Sequence, residues 1–123
     1  MRFLLPLLAT LALAPAILAQ DKFTAAPEHE ANPAGPHGTL TKMPPWSSKI
    51  FAGTERDWWI YVPAQYQADG SAAVMVFQDG HDYAGEKGHW RVPIVFDNLI
   101  ASGAMPPTVA VLINPATTRA RAS

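Results

Sequence analysis

Hydrophobic positions along this chain change their period from one stretch to the next, and each period predicts an element. Over residues 56–62 they alternate: Trp58, Ile60 and Val62 share one side, and Asp57, Trp59 and Tyr61 the other. That predicts a strand. Residues 49–51 make a shorter strand before the Gly53-Thr54 turn, close enough for the two to form a hairpin. Pro63 ends the longer strand, because proline has no N–H for a ladder. Residues 65–71, with Asp69-Gly70, read as a polar turn. Residues 72–77 are apolar throughout and valine-rich, the pattern of a strand buried on both faces in a parallel sheet.

After a polar, glycine-rich and aromatic interval at 78–90 the period lengthens. Val92, Val95, Phe96, Leu99 and Ile100 recur at i, i+3, i+4, i+7 and i+8, a single apolar stripe on a helix. Pro93 suits its first turn and Gly103 the left-handed position past its end, while Pro106-Pro107 forbids continuation. A helix of about ten residues is marginal alone in water and needs a sheet beneath it. Thr108–Ile113, a second Val/Leu/Ile run closed by Asn114-Pro115, supplies that sheet. The expected fold class is therefore α/β. It comprises an N-terminal β-hairpin and one βαβ unit, whose crossover should be right-handed.

The flanks read differently. Met1-Arg2 followed by a Leu/Ala-rich apolar run, with Ala19 suited to the position before cleavage, predicts a secretory signal at 1–19. Pro6 and Pro15, and a length below about 20 residues, disfavour a membrane span. The expected location is secreted or periplasmic, without stable membrane insertion after cleavage. Residues 20–45 carry Pro27, Pro33, Pro36, Pro44 and Pro45 and few large apolar side chains, and read as an extended, partly mobile linker with solvated His29 and His37. Order is expected over 46–115, and 116–123 reads as an unstructured tail.

Composition narrows the chemistry. The 123 residues include no cysteine, which excludes a disulfide framework and any cysteine-ligated metal. A net charge of −1 with scattered Lys and Arg does not suggest nucleic acid.

In an α/β protein, ligands bind beyond the carboxyl ends of parallel strands, and 78–90 occupies that place. It offers backbone N–H groups beside glycine, together with Asp79, His81, Asp82, Glu86, His89 and Trp90. Asp79, His81 and Asp82 lack the spacing of helical metal motifs, so no metal and no cofactor is expected. Asp79-Gly80 also fits a tight turn in which Asp79 accepts backbone hydrogen bonds. His89 as a general base would need a nucleophile within reach. Ser47, Ser48, Ser71, Ser102 and Ser123 all lie outside a Gly-x-Ser-x-Gly elbow, and no triad can be assembled. Trp58 and Trp59 read as strand residues; Trp46 and Trp90, beside loops, are better placed to line a pocket.

Trp59-Ile-Tyr-Val-Pro63, Ala73-Val-Met-Val-Phe-Gln-Asp-Gly80, the run from Arg91 to Ile100 and the run from Val109 to Pro115 carry a further signal. Together they resemble the N-terminal part of an α/β-hydrolase esterase family. That family includes enterochelin (ferric enterobactin) esterases and is similar to esterase D and the mycolyltransferases. The resemblance implies a serine hydrolase acting on ester bonds, with an oxyanion-hole N–H donated by the loop after the third strand. By position that donor is the backbone N–H of His81, with Gly80 leaving room for close approach and Asp79 and Trp90 at the substrate. The nucleophile, acid and base of the family have no counterpart here. The expectation is an incomplete α/β-hydrolase fold, an N-terminal fragment inactive alone, whose whole would act on a small-molecule or carbohydrate ester. A secreted, non-catalytic glycan-binding module presenting tryptophans is the rival reading, and the helix stripe is what separates the two.

Overall fold

A computed structural model describes residues 24–118; the leader read at 1–19 and positions 119–123 of the tail lie outside the described residues. The chain forms strands β1 (Thr39–Lys42), β2 (Trp46–Ser47), β3 (Thr54–Arg56), β4 (Trp58–Val62) and β5 (Ala73–Gln78). Helices α1 (Gly80–Ala84) and α2 (Val92–Ala101) follow, then β6 (Thr108–Ile113) and β7 (Thr117–Thr118). The main sheet is mixed and four-stranded, ordered β1-β4-β6-β5, and a small sheet is ordered β2-β3-β7. Strands β5 and β6 run parallel, while β4 is antiparallel to both β6 and β1. Among the described residues no helix is long and apolar enough to cross a membrane.

The core lies on one face of the main sheet. Tyr61, Ala110 and Leu112 point into it from the strands, and Val92, Phe96 and Ile100 close it from α2. Burying each large apolar side chain contributes about 1.5–3 kcal/mol, which holds a helix too short to persist by itself. The two remaining stripe residues, Val95 and Leu99, face a groove shared with Ala25, Ala26 and Trp90. Pro93 sits in the first turn of α2, and Gly103 adopts φ 75° beyond its end, as the pattern predicts.

Several expectations are corrected. Within the region read as a linker, Pro27–His29 forms a 3-10 turn and Thr39–Lys42 forms β1, the outer strand beside β4. Hydrogen bonds from side chains of α2 hold this region, and no hydrophobic pattern announces them. Asn98 Nδ2 donates to the carbonyls of Glu28 and Glu30 at 2.8 Å each. Asp97 accepts from the Gly38 N–H at 2.7 Å and lies 3.3 Å from His37 Nδ1. His29 Nε2 lies 2.8 Å from the His89 carbonyl, so neither histidine is a purely solvated linker residue.

Residues 49–51 are turn, not strand. The hairpin pairs Trp46 with Arg56 and Ser47 with Glu55, and the Ser48 hydroxyl accepts the N–H groups of Ile50 and Phe51 inside the turn. The strand expected over 56–62 is divided at Asp57, where the chain passes from the small sheet to the main one. Strand β5 is not buried on both faces. Among the described residues it is an edge strand, with Val74 67% and Val76 61% exposed. The central parallel strand is β6, whose burial alternates buried and intermediate. Within the expected unstructured tail, Thr117–Thr118 pairs with β3.

The Tyr61 side chain is fully buried and its hydroxyl donates to Asp97 Oδ1 at 2.6 Å. Burial, then the hydrogen bond to the Asp97 carboxylate and its negative charge, push the phenol well above its usual range. A native pKa above the unfolded value means that the unfolded chain releases this proton first. Stability from Tyr61 is therefore whole below about pH 10 and declines as pH rises beyond it. In an alkaline titration read by phenolate absorbance, Tyr61 should ionise only as the chain unfolds. Ionisation of all tyrosines together near pH 10 with the fold intact would contradict this.

Candidate functional site

The parallel register of β5 and β6 sets Gln78 opposite Ile113, so the residues that follow each strand emerge at the same end of the sheet. After Gln78 the chain turns directly into α1. Asp79 makes that corner in the left-handed region, at φ 57° and ψ 42°. A non-glycine residue there costs about 1–2 kcal/mol, and aspartate tolerates it better than most. Its side chain makes no hydrogen bond to the helix start, so it does not hold the turn in the way its sequence position suggests; its carbonyl accepts the Asp82 N–H at 2.9 Å instead.

Gly80 is buried against β6. A Cβ there would sit 2.4 Å from the Leu112 carbonyl carbon and 2.5 Å from the Ile113 nitrogen. The space that its missing side chain leaves is thus taken by the β6 backbone, not held open for a substrate. This corrects the expected role of Gly80 while explaining why glycine is required.

The His81 N–H, the expected oxyanion donor, donates to Asn114 Oδ1 at 2.8 Å. Asn114 is itself fixed from both sides. Its N–H donates to the Asp57 carbonyl at 2.9 Å, and its carbonyl accepts from Arg56 at 3.2 Å. The His81 ring lies 6.5 Å from the Trp59 ring, tilted by 47°. Around this corner opens a cleft of about 390 Å³ lined by Asp57, Asp79, His81, Asp82, Asn114 and Thr117. Its wall carries three carboxylates; one of them, Asp57, lies 3.5 Å from Lys42 Nζ in an exposed ion pair that contributes little.

A second hollow shares His81 and Asp82 and continues along 85–90 to Trp90. Trp90 is 58% exposed and stacks on Tyr83 at 5.5 Å and 24°. Tyr83 in turn contacts Phe77 at 5.0 Å, and Phe77 contacts Phe96 at 5.9 Å. An aromatic series thereby ties an exposed indole face to the core. Asp79 and Trp90 do not share one cavity: Asp79 lines the first cleft and Trp90 the second, with His81 and Asp82 between them.

No serine lines either hollow. Among the described residues no group of three or more His, Asp or Glu side chains is arranged to hold a metal ion. Asn114 and Asp57 are the site residues that the sequence did not single out. The one available signal was a polar residue immediately beyond an apolar strand, at the end where ligands of α/β proteins bind.

No protein-family model matches the chain, and no curated protein does either. A solved structure, that of a protein named FAE, is similar over 74% of this chain at a TM-score of 0.57 and 12% sequence identity. The fold is shared; at that identity the likeness speaks for the fold alone. The chain spans 31% of the length of FAE.

Proposed function

We propose that this chain forms the oxyanion-donor corner of a carboxylic ester hydrolase of the α/β-hydrolase kind, akin to the enterochelin esterase group, acting outside the cytoplasm. The resemblance of residues 59–63, 73–80, 91–100 and 109–115 to that esterase family carries this reading, and the fold likeness to FAE is consistent with it. Three features of the corner support it. The His81 N–H is free of the backbone ladder and already donates to a neutral amide oxygen at 2.8 Å, an acceptor that an ester carbonyl oxygen can replace. The corner lies at the carboxyl end of two parallel strands. Trp90 presents an exposed aromatic face along the adjoining hollow, suited to a small-molecule or carbohydrate ester.

In this reading the chain supplies part of a catalytic centre. A preorganised N–H donor lowers the barrier to acyl transfer by about 3–4 kcal/mol when a nucleophile creates the oxyanion. The hollows around His81 hold no serine; in this reading the nucleophile, acid and base come from protein beyond the described residues. The full chain, purified and offered p-nitrophenyl acetate and methyl ferulate, should show no hydrolysis above buffer. Turnover abolished by a serine-reactive inhibitor would overturn the division of labour proposed here.

The glycan-binding alternative draws less support. Trp46 and Trp58 line one apolar hollow with Val111 and Ile113, while Trp90 stacks on Tyr83 beside the His81 corner. The tryptophans form no common platform, and α2 is present where a purely β-rich module would have none.

A further inference from the structure

The loop at 85–91 joins α1 to α2 without regular structure, yet its last four residues are pinned. Arg91 sits at φ 40° and ψ 47°, in the left-handed region that residues other than glycine rarely adopt. Strain of this kind persists only where the surroundings hold it, and here the holders can be named. Arg91 Nε donates to the Gly88 carbonyl at 3.1 Å. Its Nη1 donates to the His29 carbonyl at 3.3 Å and lies 3.9 Å from Glu30 Oε2. His29 returns the contact. Its Nε2 donates to the His89 carbonyl at 2.8 Å, since a carbonyl can only accept. The Pro27–His29 turn is in turn fastened to α2, because Asn98 Nδ2 donates to the carbonyls of Glu28 and Glu30, on either side of His29.

Trp90 lies inside this clip. The carbonyl before it is held by His29, and the residue after it is Arg91. Its ring stacks on Tyr83 at 5.5 Å, but a stacked ring does not fix the backbone that carries the indole; the bonds on either side do. The indole lines both the hollow that runs from His81 and the groove with Ala25, Val95 and Leu99. Without the clip, a loop containing Gly85 and Gly88 has the freedom to carry it from one to the other. We propose that Arg91 and His29 are positioning residues: they clip the loop to the Pro27–His29 turn and hold the Trp90 indole as a fixed wall of the hollow beside His81. That an aromatic ester stacks on this wall rests on the proposed function; the clip itself does not.

The full chain labelled with fluorotryptophan tests both parts, since fluorine NMR gives each of its four tryptophans its own resonance. Replacing each tryptophan with phenylalanine assigns them. Arg91→Gly removes the guanidinium while suiting the left-handed backbone, so it does not add strain. It should move the Trp90 resonance towards that of free fluorotryptophan and leave those of Trp46, Trp58 and Trp59 in place. A Trp90 resonance that stays where it was overturns the clip. His29→Gln keeps a donor for the His89 carbonyl and should preserve the parent spectrum, while His29→Leu should displace Trp90. Identical spectra for those two variants also overturn it, and this pair decides if Arg91→Gly loses its fold. Methyl ferulate should shift the Trp90 resonance of the parent, and should bind Arg91→Gly roughly threefold to tenfold more weakly because the indole is no longer preorganised. Equal affinity refutes the positioning role. A parent resonance that ignores methyl ferulate, beside one that Arg91→Gly displaces, counts against the ester reading and supports the clip.

Discussion

Gly80→Ala should destabilise the chain by about 3 kcal/mol or more, a large part of the 5–15 kcal/mol that a whole domain typically has. The added methyl meets the Leu112 carbonyl carbon at 2.4 Å, the Ile113 nitrogen at 2.5 Å and the Leu112 oxygen at 2.9 Å. These are backbone atoms of β6, which is hydrogen-bonded to β4 on one side and to β5 on the other. A flexible side chain could swing away; a central strand cannot move without breaking a ladder. The helix would have to retreat instead, taking the His81 N–H away from Asn114 and loosening Tyr83 from Phe77. His81→Ala, by contrast, changes an exposed side chain and should stay within about 0.5 kcal/mol of the parent. Urea unfolding of the two variants beside the parent measures the difference, and comparable midpoints for Gly80→Ala and His81→Ala would refute the packing argument.

Asp97→Ala is expected to be the most damaging polar substitution, at about 3 kcal/mol, because it leaves the buried Tyr61 hydroxyl and the part-buried Gly38 N–H without their acceptor. One carboxylate accepts from the Tyr61 hydroxyl at 2.6 Å and from the Gly38 N–H at 2.7 Å, with His37 Nδ1 3.3 Å away. These bonds join α2, β4 and the approach to β1 at one point, and Tyr61 is fully buried. Asp97→Asn keeps a carbonyl acceptor and loses only the charge, so it should cost about half as much. Replacing Tyr61 with phenylalanine removes the buried donor, and the Asp97→Ala penalty should then shrink by about 1–2 kcal/mol in a double-mutant cycle. Amide exchange across Thr39–Lys42 should also quicken in Asp97→Ala, because the Gly38 anchor is gone. Additive penalties with unchanged exchange in β1 would show that Asp97 does not link these elements.

Both substitutions act on contacts that local pattern does not report. Phe96 lies on the helix stripe, and its burial could be read from spacing alone. Asp97 is the next residue and looks like an ordinary solvent-facing position, yet it meets a segment 59 residues away. The same applies to Asn98, whose amide holds Glu28 and Glu30. Segment 20–45 looked like a linker because its described part is attached through hydrogen bonds and the β1–β4 ladder, with no apolar period to betray them. For the site, the corner at Asp79-Gly80-His81 was legible because a strand must end somewhere and glycine marks a close approach. What approaches was not legible: it is β6, and Asn114 accepts the His81 N–H.

The sequence by itself determined which stretches become β4, β5, α2 and β6. Each of those elements carries its own period, and helix and strand geometry translate a period directly into a buried face. It also determined that α2 must cross from β5 to a neighbouring parallel strand, since ten apolar-striped residues between two valine-rich runs need a sheet to cover. The tertiary structure alone decided that, among the described residues, β6 is central and β5 an edge, because both runs are equally apolar and only strand order distinguishes them. It alone decided that the N-terminal arm adds the strand beside β4, and that Asn114 joins the Asp57 carbonyl to the His81 N–H. Those outcomes rest on hydrogen bonds between residues far apart in the chain, and a hydrogen bond leaves no periodic trace in either of its partners.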